Sequence, residues 1–301
     1  LYFPTYSAFH PGTDFGLDYP YETNYRELKQ IFLKEGSGNW VLMPPVTFNP
    51  YENIAQDNVF RPSAPSIENG HYLGTDTTSR DILSRLIYGT RIALWFALAF
   101  TLSVYLIGIV IGCAMGYFGG IFDLLFQRFI EIWSNIPFLY MVIIVFSVVP
   151  SGLPSSARIT ILLSVMVLFS WTSITYYMRT ETYREKSRDY VSAARIMGAS
   201  TWRIIFRHIL PNAMSTLITF IPFTVIAAIT AITALDFLGF GLPPPTPSLG
   251  ELLKQGTSSL RTAPWIVISA FGTLVMILTL ITFVGEAIRE SFDPKKFTIY
   301  E

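Results

Sequence analysis

Long apolar stretches free of charge dominate this chain and leave it few ways to fold. A helix needs about 20 apolar residues to cross the hydrocarbon core of a bilayer. Residues Ile92–Phe118 meet that length without a charged side chain. Further spans are expected at about 126–149, 159–178, 213–235 and 265–285. In lipid every backbone N–H and C=O needs an internal partner, which a helix supplies within itself. The chain therefore reads as an all-α integral membrane protein with five visible spans. The second span is the least regular, because it holds Glu131 and Pro137 and its apolar core begins only at Ile136. It is expected to start near Phe126 and to kink at Pro137.

Composition agrees. Of 301 residues 51% are hydrophobic and 14% charged, against about 25% charged in soluble domains. A formal net charge of zero offers no basic surplus for nucleic acid. Cys113, the one cysteine, stands beside Gly112 in an apolar run and reads as a small packed residue. One cysteine excludes an intrachain disulfide or a cysteine-based metal cluster. His10, His71 and His208 are too scattered to suggest a metal site.

Lysine and arginine in the short loops set the orientation. Arg179, Arg184, Lys186, Arg188, Arg195, Arg203 and Arg207 lie between the third and fourth spans, and Arg289, Lys295 and Lys296 follow the last. The alternate loops hold only Arg158, Lys254 and Arg261. Loop 179–211 and the C-terminus are thus expected in the cytoplasm, with residues 1–91 outside. Exporting that segment calls for a signal peptide or a further transmembrane helix before Leu1, and one more span upstream is the simpler expectation. The resulting organisation is an external irregular segment (1–70), an interfacial segment (71–91), a membrane domain (92–288) and a cytoplasmic tail (289–301).

The external segment is rich in Pro, Tyr and Asn, with a short helix expected at Tyr25–Lys34. It reads either as an irregular cap or as a docking surface for a soluble partner. After it, Thr78 or Ser79 is a candidate cap for an amphipathic helix over Asp81–Tyr88. Loop 179–211 reads as helix, turn, helix. A short helix at Asp189–Met197 carries small residues Ser192, Ala193 and Ala194, and Gly198 suits a left-handed cap. Ser200 caps a second helix with apolar Trp202, Ile205, Phe206 and Ile209 at spacings of three and four. Small exposed residues let a partner's groove approach the backbone closely, which suits transmission of a push from the cytoplasm. Thr219, Thr224 and Thr230 in the fourth span are candidates to line a translocation path, or to bond back within their own helix.

The run Tyr190-Val191-Ser192-Ala193-Ala194-Arg195-Ile196-Met197-Gly198, with Leu210-Pro211 beyond it, resembles the EAA loop of binding-protein-dependent ABC importers. Ser192 stands where the general motif has Glu, and His208 where it has Ile. Arg207-His208-Ile209-Leu210-Pro211-Asn212 is instead the form of the peptide and nickel branch. Leu73-Gly74-Thr75-Asp76, Arg80-Asp81 and Gly89-Thr90-Arg91 resemble the C-type permeases of that Opp/Dpp branch. So do Leu235-Asp236-Phe237-Leu238-Gly239-Phe240-Gly241-Leu242 and Pro247-Ser248-Leu249-Gly250. The outer segment and Ala263-Pro264-Trp265 resemble the Yej-type subunit most, whose systems import peptides including microcin C.

The resemblance implies a type I ABC importer transmembrane domain in a bacterial inner membrane. It implies three partners: a second, B-type permease, an ABC ATPase with two nucleotide-binding domains, and an external substrate-binding protein. Asp189, Tyr190, Ser192, Ala193, Ala194, Arg195, Gly198 and Ala199 would contact the ATPase, and Asp236, Gly239 and Gly241 would form an outer gate or loop. ATP and Mg would be bound by the partner and no cofactor by this chain, which contains no Gly-Lys pair for a P-loop. Peptides are the expected cargo, with nickel or another small solute as the alternative within the branch. A secondary transporter is the rival from another class. Such proteins place ionisable groups near the midplane, and the spans hold only Glu131 and its neighbour Arg128, near one end of the second.

Overall fold

A computed structural model describes residues 10–21, 23–36, 38–54, 61–150 and 152–291. Among these residues the regular structure is helical, apart from isolated bridges pairing Ser66 with His71 and Thr75 with Asp81. Helix α1 (Tyr25–Glu35) is capped by the Asn24 side chain, which accepts the N–H groups of Arg26 and Glu27, and it ends on left-handed Gly36.

Helix α2 (Ile82–Phe118) is 37 residues long. At 1.5 Å per residue it reaches about 55 Å, far beyond a hydrocarbon core of about 30 Å. The expected interfacial helix and first span are therefore one element, since no proline interrupts them. Its cap also differs from expectation. The Asp81 carboxylate, not Thr78 or Ser79, accepts the Ser84 N–H at 2.8 Å.

The second span is broken more sharply than a kink. Helices α3 (Gly120–Ser134) and α4 (Phe138–Val148) lie 71° apart, because Pro137 supplies no N–H to continue the ladder. Arg128 and Glu131 form a local ion pair at 2.6 Å on α3. Helix α5 (Ser155–Lys186) runs past the expected end of the third span, so residues 179–186 are helix and not loop. The fourth span is split into α8 (Leu210–Ile218) and α9 (Ile221–Leu238), where Pro222 starts the second piece. Helix α10 (Leu249–Ser258), which hydropathy does not reveal, precedes α11 (Pro264–Ser291). Among the described residues four helices are long and apolar enough to cross a membrane, or five if α3 and α4 form one broken span.

The most extensive helix pair is α2 with α5. Gly108, Gly112 and Gly116 recur every fourth residue and so share one face of α2. An added Cβ at Gly108 would stand 2.8 Å from the Ile174 Cβ, and at Gly116 2.6 Å from the Thr182 Cβ. At Gly112 it would stand 2.6 Å from the Thr175 carbonyl oxygen, which is backbone and cannot swing away. In lipid, where burial against water supplies little drive, such close packing through small residues holds helices together.

The C-terminal half of α5 is gripped further. Arg179 donates to both oxygens of Asp123 on α3, at 2.5 and 2.6 Å, and the Tyr183 hydroxyl donates to the same carboxylate at 2.7 Å. Lys186 Nζ donates to the Tyr117 carbonyl at the end of α2, where a cation also suits the helix dipole. Overpacking a close contact costs about 1–3 kcal/mol. Gly112→Leu is therefore expected to lower the thermal midpoint of the purified protein by several degrees, while Val110→Leu, on an exposed face, leaves it unchanged. Equal midpoints for the two variants would show that the glycine face does not hold the pair.

Candidate coupling site and outer clasp

Two residues, Ser187 and Arg188, separate the end of α5 from a short projecting helix, α6 (Asp189–Ile196). Asp189 lies in its first turn and Arg195 in its last, each complementing the helix dipole. The Ala199 N–H donates to the Ala194 carbonyl and the Gly198 N–H to the Arg195 carbonyl, both at 3.0 Å. This is the six-to-one and five-to-two pairing of a Schellman cap, with Gly198 left-handed at φ +79°. Nothing lies within 4 Å of where a Gly198 Cβ would stand, so the glycine is required by its backbone and not by crowding.

Helix α6 has two faces. Val191 and Ala194 are buried, while Asp189, Tyr190, Ser192, Ala193, Arg195 and Gly198 are exposed and Ala199 is half-buried. The expectation that Ala194 belongs to the outward surface is thus corrected: it packs inward, next to the cap. The sequence reading also overlooked Ile196 and Met197, which are 88% and 80% exposed at the tip. They extend the apolar surface beyond the small residues, and an apolar pair just before a glycine cap is the signal that was available.

The helix after this turn is not uniform either. Helix α7 (Thr201–Ile204) is capped by Ser200, whose hydroxyl accepts the Arg203 N–H at 3.4 Å. It widens into a π-turn at Ile205–Ile209 and then runs into α8. Pro211 explains the widening, since it lacks an N–H and its ring would strike the carbonyl one turn back. Ile204, Ile205 and Ile209 are buried, whereas Trp202 and Phe206 stay exposed and stack at 5.7 Å.

Tyr190 ties these pieces together. Its hydroxyl lies 2.5 Å from the Glu185 carboxylate at the end of α5 and 3.3 Å from the His208 carbonyl in the π-turn. Asn212 Nδ2 on α8 donates to the Tyr190 oxygen at 3.2 Å and to the His208 carbonyl at 2.7 Å. Desolvation, together with the Glu185 carboxylate, pushes the Tyr190 phenol up to about 12. A movement of α6 would therefore reach both α5 and α8.

At the other end of the molecule, Asp236 sits in the last turn of α9, where the sequence reading expected a loop. Its buried carboxylate accepts the Leu242 N–H at 2.7 Å and the Ser248 hydroxyl at 2.5 Å. Ser248 in turn caps α10 through the Glu251 N–H at 3.2 Å. Left-handed Gly239 ends α9, and a Cβ on Gly241 would fall 1.7 Å from Asp236 Oδ1. These three residues hold the α9–α10 corner closed.

Beside it lies a buried charge cluster. Arg80 Nε donates to Asp76 Oδ2 at 2.9 Å, and Arg80 Nη2 reaches Glu251 on α10 at 3.2 Å. Fully buried Arg85 also pairs with Glu251 and lies 3.4 Å from Asp76 Oδ2. Thr77 donates to Gln255 at 2.8 Å, fastening the same loop to α10. The threonine candidates behave differently. Thr219, Thr224 and Thr230 bond to carbonyls one turn back in their own helices, at 2.7, 3.1 and 2.9 Å.

A family described as binding-protein-dependent transport system inner membrane component matches residues 108–298. Peptidoglycan transport system permease protein YejE of Agrobacterium fabrum is 40% identical over 93% of this chain and 79% of its own length. Inner membrane ABC transporter permease protein YejE of Escherichia coli is 43% identical over 98% of this chain and 83% of that protein. Oligopeptide transport system permease protein OppC of Lactococcus lactis is 33% identical, covering 83% of this chain and 84% of its own. A solved structure of the MetNI methionine ABC transporter in an inward-facing conformation superposes with a TM-score of 0.52 at 20% identity, over 69% of this chain and 96% of that one. That likeness concerns the fold.

The Tyr190 hub makes a direct prediction for α6. A hydrogen bond to a charged group contributes about 1.5–3 kcal/mol, so Tyr190→Phe is expected to speed amide hydrogen exchange across residues 189–197 by about ten-fold or more. A phenol raised above its ordinary value of about 10 stabilises the fold below that pH and ceases to as pH rises through about 12. The protection, corrected for intrinsic exchange, should therefore stay constant from about pH 6 to 9. Exchange unchanged in Tyr190→Phe would remove the hub.

Proposed function

This chain belongs to the family of binding-protein-dependent transport system inner membrane components and is a permease subunit of an ABC importer, and from that premise we propose how it is driven and what it carries. Helix α6 is the coupling element. It seats in a cleft of a partner ATPase, and ATP-driven closure there swings α5 and α8 to change which side of the membrane the cavity faces. The observation that carries this reading is the exposed tip of α6, with Ile196, Met197 and left-handed Gly198 projecting from a helix whose other face is buried. An apolar tip of this kind suits a groove in another protein. ATP and Mg belong to that partner, and this chain contributes no catalytic group.

The loop charges support a cytoplasmic α6 and C-terminus, with residues 1–91 and the α9–α10 corner outside. The complete importer pairs this chain with a second, B-type permease and receives cargo from an external binding protein. Relatives named for oligopeptide, dipeptide and peptidoglycan transport support peptides or peptide-like compounds as cargo. In this arrangement Asp236, Gly239 and Gly241 brace the outer corner of the permease. Thr219, Thr224 and Thr230 keep their hydroxyls on carbonyls one turn back and serve packing first.

Replacing Gly198 tests coupling. In liposomes holding the assembled complex and its binding protein, Gly198→Trp is expected to abolish transport-coupled ATP hydrolysis while the complex still assembles. Gly198→Asn tolerates the left-handed backbone and should retain much of the activity. Wild-type uptake should persist when the proton gradient is dissipated. Normal uptake by Gly198→Trp would overturn the coupling role, and uptake driven by a gradient without ATP would overturn the transport class.

A further inference from the structure

A cleft of about 960 Å3 opens between residues 43–52, the chain around Tyr21–Arg26 and the first turns of α2. Ser84, Ile87, Tyr88 and Arg91 recur at spacings of three and four, so they share one helix face, and all four line the cleft. The opposite wall is fixed although it is irregular. Arg85 donates to the Pro50 carbonyl at 3.1 Å, and Arg26 to the Thr47 carbonyl at 3.1 Å. Phe48 is stacked on His71 with ring centroids 4.1 Å apart, and the Arg26 guanidinium lies 4.5 Å from the Phe48 ring centroid. This wall presents Pro44, Pro45, Phe48 and Tyr51 towards the cavity.

The two cations of the cleft are not equivalent. Arg26 is paired with Glu52. Arg91 is exposed, lies 6.0 Å over the Tyr88 ring, and pairs with no carboxylate among the described residues. The volume is near the top of the range for ligand sites, about 300–1,000 Å3, which is far more than a single ion needs. An aromatic-lined groove suits an extended, polyproline-like segment. A free guanidinium fork fits a carboxylate.

We propose that this cleft is a receiving site for an extended peptide, with its C-terminal carboxylate on Arg91 and its backbone along the Pro44–Tyr51 wall. The proposal deepens the importer reading and rests on it for placing residues 1–91 outside. It assigns to the permease itself a contact with cargo before the membrane is crossed. Arg26 and Glu52 shape the wall, and Arg91 supplies the charge that selects a free acid.

The test uses the full complex in nanodiscs without nucleotide or binding protein. The probe is a fluorescein-labelled hexapeptide, Ala-Pro-Phe-Pro-Tyr-Ala, as free acid or C-terminal amide, read by anisotropy. Amidation and Arg91→Gln should each weaken binding by at least about ten-fold, and their effects should not add. Tyr51→Ala should weaken both forms alike, and Arg91→Lys, the milder change, should fall between wild type and Arg91→Gln. Absence of binding, equal affinity for acid and amide, or no effect of Arg91→Gln would overturn the proposal. If Arg91→Gln spares the peptide but reduces co-purified phosphatidylglycerol, the cleft is a lipid headgroup site instead. ATP-driven uptake by the same wild-type preparation separates the two levels. Uptake without acid-selective binding defeats the receiving site alone, and acid-selective binding without ATP-driven uptake defeats the importer mechanism alone.

Discussion

The contact of α2 with α5 through Gly108, Gly112 and Gly116 is what the rest of the molecule is built around. Two apolar helices in lipid gain little from hiding their surfaces from water, because the lipid already does so. What remains is closeness, and closeness needs residues without side chains. With α5 held against α2, Arg179 can reach Asp123 on α3, and Lys186 can reach the last turn of α2. The C-terminal end of α5 is thereby fixed on two sides at the point where α6 begins. Any displacement of α6 would meet a braced helix and not a loose loop.

At the opposite end of the molecule the corresponding constraint is charge. Asp76, Glu251, Arg80 and Arg85 form a balanced set buried among the first loop, α2 and α10. Taking such charges out of water costs several kcal/mol per ion, and mutual pairing offsets this only when geometry is good. The bonds to Gln255 and to the Pro50 and Pro245 carbonyls occupy much of the remaining capacity. The result fixes the register between segments far apart in sequence, and it makes this end of the molecule a scaffold on which residues 43–52 are held in place.

Much of this was legible in the sequence where the signal is local. The apolar stretches, the α6–turn–α7 pattern, the Ser200 cap and the left-handed Gly198 depend on neighbouring residues, and each is found. The ends of elements were less legible. Nothing between Ile82 and Phe118 breaks a helix, so the interfacial segment and the span merge, while Pro137 and Pro222 break spans that hydropathy draws as continuous. Some signals were present but easily missed. The glycine spacing on α2 and the Ser248–Glu251 cap of α10 are short patterns whose meaning depends on what packs against them. The pairing of Arg80 and Arg85 with Glu251 could not be read at all, because ion pairs across more than 160 residues follow from the fold and not from sequence proximity. The inward turn of Ala194 is of the same kind.

The path from α6 to the spans can be tested at its first step by asking what Ser192 touches in the assembled importer. Cys113 is buried, so Cys113→Ala together with Ser192→Cys leaves one reactive thiol on the exposed face of α6. A short bifunctional maleimide applied to membranes should join that thiol to the ATPase subunit. A thiol that cross-links only to lipid-embedded chains, or reacts with an impermeant maleimide from outside intact cells, would contradict the coupling role of α6.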